Sequence, residues 1–335
     1  VSQNFWIWQN SPLNGQHLLT MVIGAVITLM LTLGVVTYTI YAERKVLGWM
    51  QGRIGPNRVG PLGLLQSIAD ILKLLVKEDI VPEKADRALF LLAPIIAFVP
   101  SFMTLAVIPF SMQHVFTADF GAGLLYYLAL SALTIHGVML AGWASNNKYA
   151  LLGGMRSAAQ MLSYEVPLGL SLVGVALMGH SLNLNSIVIE QSQTIWNIIP
   201  QIVGFLVFLI AATAELNRTP FDLPEAESEL VAGYHVEYSG FRFAFFMLTE
   251  YVYVFAMGCL AATVYLGGWS GPWLPGWLWF SIKVTAFIFF QFWLRATMPR
   301  IRVDGLMSFS WKFLLPVAML NLVGTAVIQT LVSLR

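Results

Sequence analysis

Leu18-Leu-Thr-Met-Val-Ile-Gly-Ala-Val-Ile-Thr-Leu-Met-Leu-Thr-Leu-Gly-Val-Val-Thr-Tyr-Thr-Ile-Tyr-Ala42 runs for 25 residues without a charge and stops at Glu43-Arg-Lys45. A helix rises about 1.5 Å per residue, so roughly 20 apolar residues cross the hydrocarbon core of a bilayer. This stretch is long enough to span. Seven further runs follow, at approximately 88–110, 122–144, 157–179, 198–216, 243–266, 278–294 and 313–334. The chain therefore reads as an all-α polytopic membrane protein of about eight transmembrane helices, one integral membrane domain over residues 1–335. Composition agrees: 10% of residues are charged and 58% hydrophobic, a balance that a fold needing a polar coat does not have. Residues 1–17 hold no lysine or arginine, so the first run reads as a permanent span rather than the core of a cleaved signal peptide.

Net charge is only +1, yet the positive residues are ordered along the chain. Eight lysines and arginines fall in 43–87, two in 145–156, two in 217–242 and four in 295–312, while the alternate connections 111–121, 180–197 and 267–277 have none. The positive-inside rule puts the basic loops in the cytoplasm and both chain ends outside. The tryptophan-rich segment Gly267 to Trp277 then reads as an outer turn with aromatics at headgroup level, a ligand platform being the alternative.

The first basic loop has two halves. Arg53-Ile-Gly-Pro-Asn-Arg-Val-Gly-Pro61 is breaker-rich and irregular, and its glycines match neither a Gly-x-Gly-x-x-Gly turn nor a Walker A loop, so nucleotide binding is not indicated. Leu62 to Val76 spaces its apolar residues as a helix does, with Gln66, Asp70, Lys73 and Lys77 on one polar face. Too short and too charged to span, it is expected to lie along the cytoplasmic interface. The lone Cys259 and five scattered histidines give no iron–sulfur, zinc or haem spacing, and no metal is expected.

Carboxylates carry the strongest local signal. Glu165 and Glu250 fall inside spans, each read as about 12 Å from the cytoplasmic end. A charge at that depth costs on the order of 3 kcal/mol, and such a group tends to become one that takes and releases protons. Pro167 opens the backbone beside Glu165. Glu215 reads as the cytoplasmic end of its span, where Arg218 is placed to pair with it. In the following loop Asp222 and Glu225 have capping-box spacing, leaving Glu227, Glu229 and Glu237 as either a functional cluster or a solvated face. Lys283, near the outer end of its span, reads equally as a functional charge or as a side chain snorkelling to the headgroups. His136 reads as a packing residue.

Glu43 to Pro61, with Gln66, Ala69-Asp70 and Lys77-Glu78, resembles the first cytoplasmic loop of a family of respiratory complex I membrane subunits found in bacteria and mitochondria. Gly142 to Gly153, Gln160 to Val166, Ala214 to Tyr238 and Leu294 to Arg302 resemble further blocks of that family, in its order along the chain. The resemblance implies the membrane half of a quinone chamber in a proton-translocating NADH:quinone oxidoreductase of a prokaryotic inner (plasma) membrane. It implies an acidic relay through Glu165, Glu215, Asp222, Glu225, Glu227, Glu229, Glu237 and Glu250, with Arg218 and Lys283 as supporting charges. Quinone is the implied substrate, its binding assigned to Arg44, Arg53, Asp70, Arg295 and Arg302. The implied partners are the other membrane-arm and peripheral-arm subunits, which carry the flavin and the iron–sulfur clusters; no nucleic acid is involved. Where the family commonly has Arg-Tyr-Asp-Gln, this chain has Arg302-Val-Asp-Gly305, so roles of that tyrosine and glutamine do not carry over. A homologous subunit of a ferredoxin- or deazaflavin-fed complex or membrane hydrogenase is the alternative within the resemblance. A stand-alone proton-coupled transporter would also bury carboxylates near a proline, though it often shows two related halves, which this chain lacks.

Overall fold

The computed structural model describes residues 15–111, 120–224 and 227–333. Every regular element among them is helical: α1 Gly15–Met50, α2 Gln66–Val76, α3 Arg87–Met103, α4 Gly123–Ala144, α5 Lys148–Met178, α6 Leu184–Gln193, α7 Ile202–Glu215, α8 Gly240–Tyr265, α9 Gly276–Thr297, α10 Val303–Phe309 and α11 Leu315–Ser333, with one further turn at Glu227–Leu230. Among the described residues seven helical stretches are long and apolar enough to cross a membrane, α10 to α11 counting as one, and α7 is a shorter apolar helix. The chain is thus a polytopic helical membrane protein.

α8 is the axis of the bundle. Its apolar window is 61% buried within the protein, against 17% for α1 and for the last span, whose outward leucines, isoleucines and valines are exposed on the surface of the bundle. α3, α4 and α5 pack in succession; α5 also receives α7 and α11, and α8 closes the arrangement against α3, α9 and α1. Close approach is paid for in side-chain volume at Gly137, where an added Cβ would stand 2.5 Å from the backbone nitrogen of Ala97.

Three helix boundaries differ from the sequence reading, each for a local reason. α1 continues past Ala42 to Met50, because Glu43, Arg44 and Lys45 are good helix formers followed by apolar Val46 and Leu47; it stops where Gly52 takes a left-handed conformation (φ 66°) and the Arg53 amide bonds to Gly48 O at 2.9 Å. α5 starts at Lys148, because the Asn147 side chain accepts from the Tyr149 amide at 2.9 Å. Glu165 consequently lies 17 residues into the helix. The last basic loop is largely helical: α10 runs into a π-turn at Ser310–Leu314, just before Pro316, whose missing N–H breaks the regular ladder.

The short helix α7 differs most from the reading of a full span. Fourteen residues rise about 21 Å, too little to cross, so its last residue, Glu215, ends inside the protein.

Candidate functional site

A helix that ends in the interior leaves carbonyls that water cannot reach. Gln160 of α5 meets them: its Nε2 donates to Ala214 O at 2.7 Å and is shared with Phe221 O at 2.8 Å and Asn217 Oδ1 at 3.1 Å. The neighbouring α5 residues bind the last span. Tyr164 Oη donates to Leu306 O at 3.0 Å, and Ser163 O accepts from Ser310 Oγ of the π-turn at 2.6 Å. Glu165 follows directly on this clamped segment.

The carboxyl of Glu215, 1% exposed, accepts from Tyr253 Oη at 2.6 Å. Tyr253 is 13 residues beyond the start of α8, about 20 Å along a helix of 26 residues, so Glu215 stands beside the middle of the central span. It is deeper than the end of an apolar run suggests. Glu165 is within electrostatic range of both Glu215 and His136, and the His136 Nδ1 lies 3.1 Å from Ala132 O. Arg218 does not pair with Glu215. Its guanidinium, 1% exposed, bridges Glu43 Oε2 at 3.0 Å and Glu250 Oε1 at 2.9 Å and lies over the Tyr251 ring at 4.7 Å. Arg295 completes the group by bonding to the other oxygen of Glu43. Two guanidinium groups and two carboxylates thus form a charge-balanced cluster where α1, α8, α9 and the segment after α7 meet.

The remaining acidic residues are more scattered. Asp222 pairs with Arg300 at 3.0 Å instead of capping a helix, since Leu223 and Pro224 are not helical. Glu237 accepts from Asn147 Nδ2 at 2.6 Å. Glu229 is exposed and its pKa is lowered by the Arg156 hydrogen bond, 2.6 Å long, and by the charge of that arginine. Glu225 and the side chain of Glu227 lie outside the described residues.

One residue on from Glu43, Arg44 pairs with Asp70 of α2 at 2.5 Å, and Asp70 also accepts from Gln66 at 3.1 Å. The polar face of α2 is thereby tied to α1, while Ile68, Ile71, Leu72 and Leu75 stay exposed. Arg53 is exposed and donates to Gln51 at 2.7 Å; Arg302 is exposed at the start of α10, beside Ile301, whose amide binds Pro220 O at 3.1 Å. Lys283 belongs to neither group. It is buried against the turn between α8 and α9, donating to Gly268 O at 2.9 Å and Ser270 O at 2.7 Å, 4.5 Å from the centre of the Trp196 ring. It anchors that turn rather than snorkelling, and Trp273 and Trp277 are the aromatics left exposed there.

A sequence model of the NADH dehydrogenase family matches residues 23–326. The chain belongs to that family. Proteins named as the H subunit of NADH-quinone oxidoreductase, from Brevibacillus brevis and Bacillus cytotoxicus, are 64% and 60% identical to it over 315 and 312 residues. Each alignment covers 92% of this chain and 93% of the relative.

For this member of the NADH dehydrogenase family, sequence reasoning missed Glu43, Gln160, Tyr251 and Tyr253. Glu43 was readable only as the first charge of a loop. The signal available for it was its place next to Arg44 and Lys45 with no proline or glycine between them and the span, which keeps the helix going and turns one of three successive charges inward.

Proposed function

We propose that this chain is the quinone-chamber membrane subunit of a proton-translocating NADH:quinone oxidoreductase in a bacterial plasma membrane. The relatives are named as the H subunit of NADH-quinone oxidoreductase. The observation that carries the mechanistic part is the deep end of α7, which sets Glu215 beside Glu165 at mid-bundle, with the Glu43–Arg218–Glu250–Arg295 cluster next to it.

Reduction of a quinone to a quinol takes two electrons and two protons. The electrons arrive through the iron–sulfur clusters of peripheral subunits docked on the cytoplasmic loops 43–87 and 217–242, and they originate from NADH at a flavin in those partners. Quinone reaches the site between α1 and α2, where the exposed isoleucine and leucine face of α2 suits an isoprenoid tail and Arg44, Asp70 and Arg53 offer polar partners to the ring. Charge that develops on the reduced ring is met by protons from protein groups. Glu165 and Glu215 suit that demand because neighbouring carboxyls in a low-dielectric site repel and share protons as a coupled set. Glu43, paired with both Arg218 and Arg295, is held in its charge and sets the field between relay and chamber, while Glu250, paired with Arg218 alone, remains in the relay. Glu229 and Asp222, also ion-paired, fit the cytoplasmic rim.

Glu165→Gln and Glu215→Gln test this reading in the assembled complex. Each is expected to lose most quinone-linked turnover and proton pumping while flavin-site reduction of ferricyanide stays intact, with the Asp variants retaining more. Normal pumping at the normal rate in both Gln variants would make these carboxyls structural and send the relay elsewhere.

A further inference from the structure

At the end of the bundle where α8 turns into α9, a cleft of about 720 Å³ opens that the relay does not use. Ser192, Trp196 and Ile199 line it from the α6–α7 connection, and Ser270 and Gly276 from the α8–α9 turn. Lys283 stands directly behind this wall, donating to Ser270 O at 2.7 Å with its ammonium 4.5 Å from the centre of the Trp196 ring. It is 5% exposed, and its bonds run to the backbone carbonyls of Gly268 and Ser270, with no carboxylate paired to it among the described residues. The connections 180–197 and 267–277 hold no lysine or arginine and a single acid, Glu190. That acid is engaged at the end of α5, its Oε2 2.5 Å from where a Cβ on Gly179 would stand.

The start of α9 adds to the same positive field. Pro275 precedes it, no side chain caps it and no acid lies in its first turn. The amides of Gly276 and Trp277 accordingly have no acceptor among the described residues. Free amides at a helix start carry partial positive charge, and a buried ammonium is costly until an opposite charge comes near. Beyond the polar wall the cleft runs into an apolar track. From Ile199 the exposed side chains of Ile202, Val203 and Leu206 continue along one face of α7, at the spacing of three and four that sets helical residues in a row.

We propose that this cleft binds an anionic phospholipid of the surrounding bilayer, its phosphate set against the start of α9 in front of Lys283 and one acyl chain laid along Ile199, Ile202, Val203 and Leu206. A free phosphate would answer the positive wall and leave the track bare. A neighbouring apolar helix would cover the track and leave the ammonium without a counter-charge. A molecule with an anionic head and a hydrocarbon tail answers both, and a cleft of this volume holds the head alone, as a site for a small charged group requires.

The whole complex, reconstituted in phosphatidylcholine vesicles containing phosphatidylglycerol with a photoactivatable acyl chain, tests the site. Irradiation is expected to place adducts on the peptide 195–206. Excess unlabelled phosphatidylglycerol should suppress them and inorganic phosphate should not, and photoactivatable phosphatidylcholine should label several-fold more weakly. Ser192 is exposed beside the cleft, so Ser192→Asp should lower the adduct yield several-fold and Ser192→Lys should raise it, while Lys283→Met lowers it too. Opposite effects of two substitutions at one exposed position separate recognition of charge from a disturbed fold. Equal yields in Ser192→Asp and Ser192→Lys, equal labelling by the two lipids, or suppression by inorganic phosphate would overturn the proposal. So would a peptide 195–206 free of adducts in the assembled complex, which would give the track to a neighbouring subunit.

Discussion

Removing Arg218 is the sharpest perturbation this molecule offers. Its side chain joins Glu43 and Glu250, and the first of these pairs is almost fully enclosed, with both side chains 1–2% exposed. Replacing one partner of such a pair leaves a buried charge uncompensated, which costs about 3–5 kcal/mol. Glu250 is 21% exposed, so the Glu43 side dominates that figure. In Arg218→Met the cluster keeps Glu43, Glu250 and Arg295 and carries one surplus negative charge. In Arg218→Met, Glu250→Gln the surplus is gone and Glu43 still has Arg295. The expected outcome is that the single variant yields little assembled complex on native gels, and that the double variant recovers most of it although it lacks one more wild-type residue. Arg218→Lys falls between, because an ammonium is a point charge and cannot bridge two carboxylates as a planar guanidinium does. Equal loss of complex in Arg218→Met and in the double variant would refute charge balance as the reason for the cluster, and wild-type amounts in Arg218→Met would refute the cluster's importance altogether.

Lys283→Met strips the carbonyls of Gly268 and Ser270 of a charged donor; at about 1.5–3 kcal/mol for a hydrogen bond to a charged group, the temperature of half-inactivation should fall, while quinone turnover per assembled complex stays within about twofold. A parallel loss of proton pumping would return Lys283 to the relay. His235 is buried and its pKa is pushed down by desolvation to about 4. The unfolded chain therefore binds a proton first as pH falls, so stability present above about pH 6.5 is lost progressively toward pH 4, by about 2 kcal/mol at pH 5. His235→Gln should flatten that part of the stability profile, and an unchanged acid limb would show that the imidazole is not responsible. For topology, Lys148→Cys and Ser192→Cys, both exposed, should label from opposite faces of the membrane; labelling from the same face would reverse the assignment of loops.

Eight apolar runs and their basic loops were legible from hydropathy and charge because a span must be apolar along its whole length, whatever it packs against. Depth was less legible, since it was measured from the end of each run on the assumption that every run crosses. α7 breaks that assumption. Pro200 and Gln201 precede it, and only Ile202 to Ala214 is free of polar interruption apart from Thr213, a length that one count of residues would have shown to be short. From that shortness the rest of the site follows. A helix end inside the protein strands carbonyls, which call for a donor such as Gln160 from a neighbouring span. It also lets the chain continue at membrane depth, which carries Arg218 inward to meet Glu43 and Glu250 rather than leaving it on a cytoplasmic loop beside Glu215. Pairings of this kind join residues up to 252 positions apart in sequence, so no local pattern announces them. Local spacing pointed Arg218 at Glu215 and Asp222 at a capping box, and in both cases the partner chosen was a charge from a distant segment. In a medium that cannot solvate ions, a guanidinium goes to the carboxylates that most need it, and Glu215, bonded instead to Tyr253, is left outside the ion pairs.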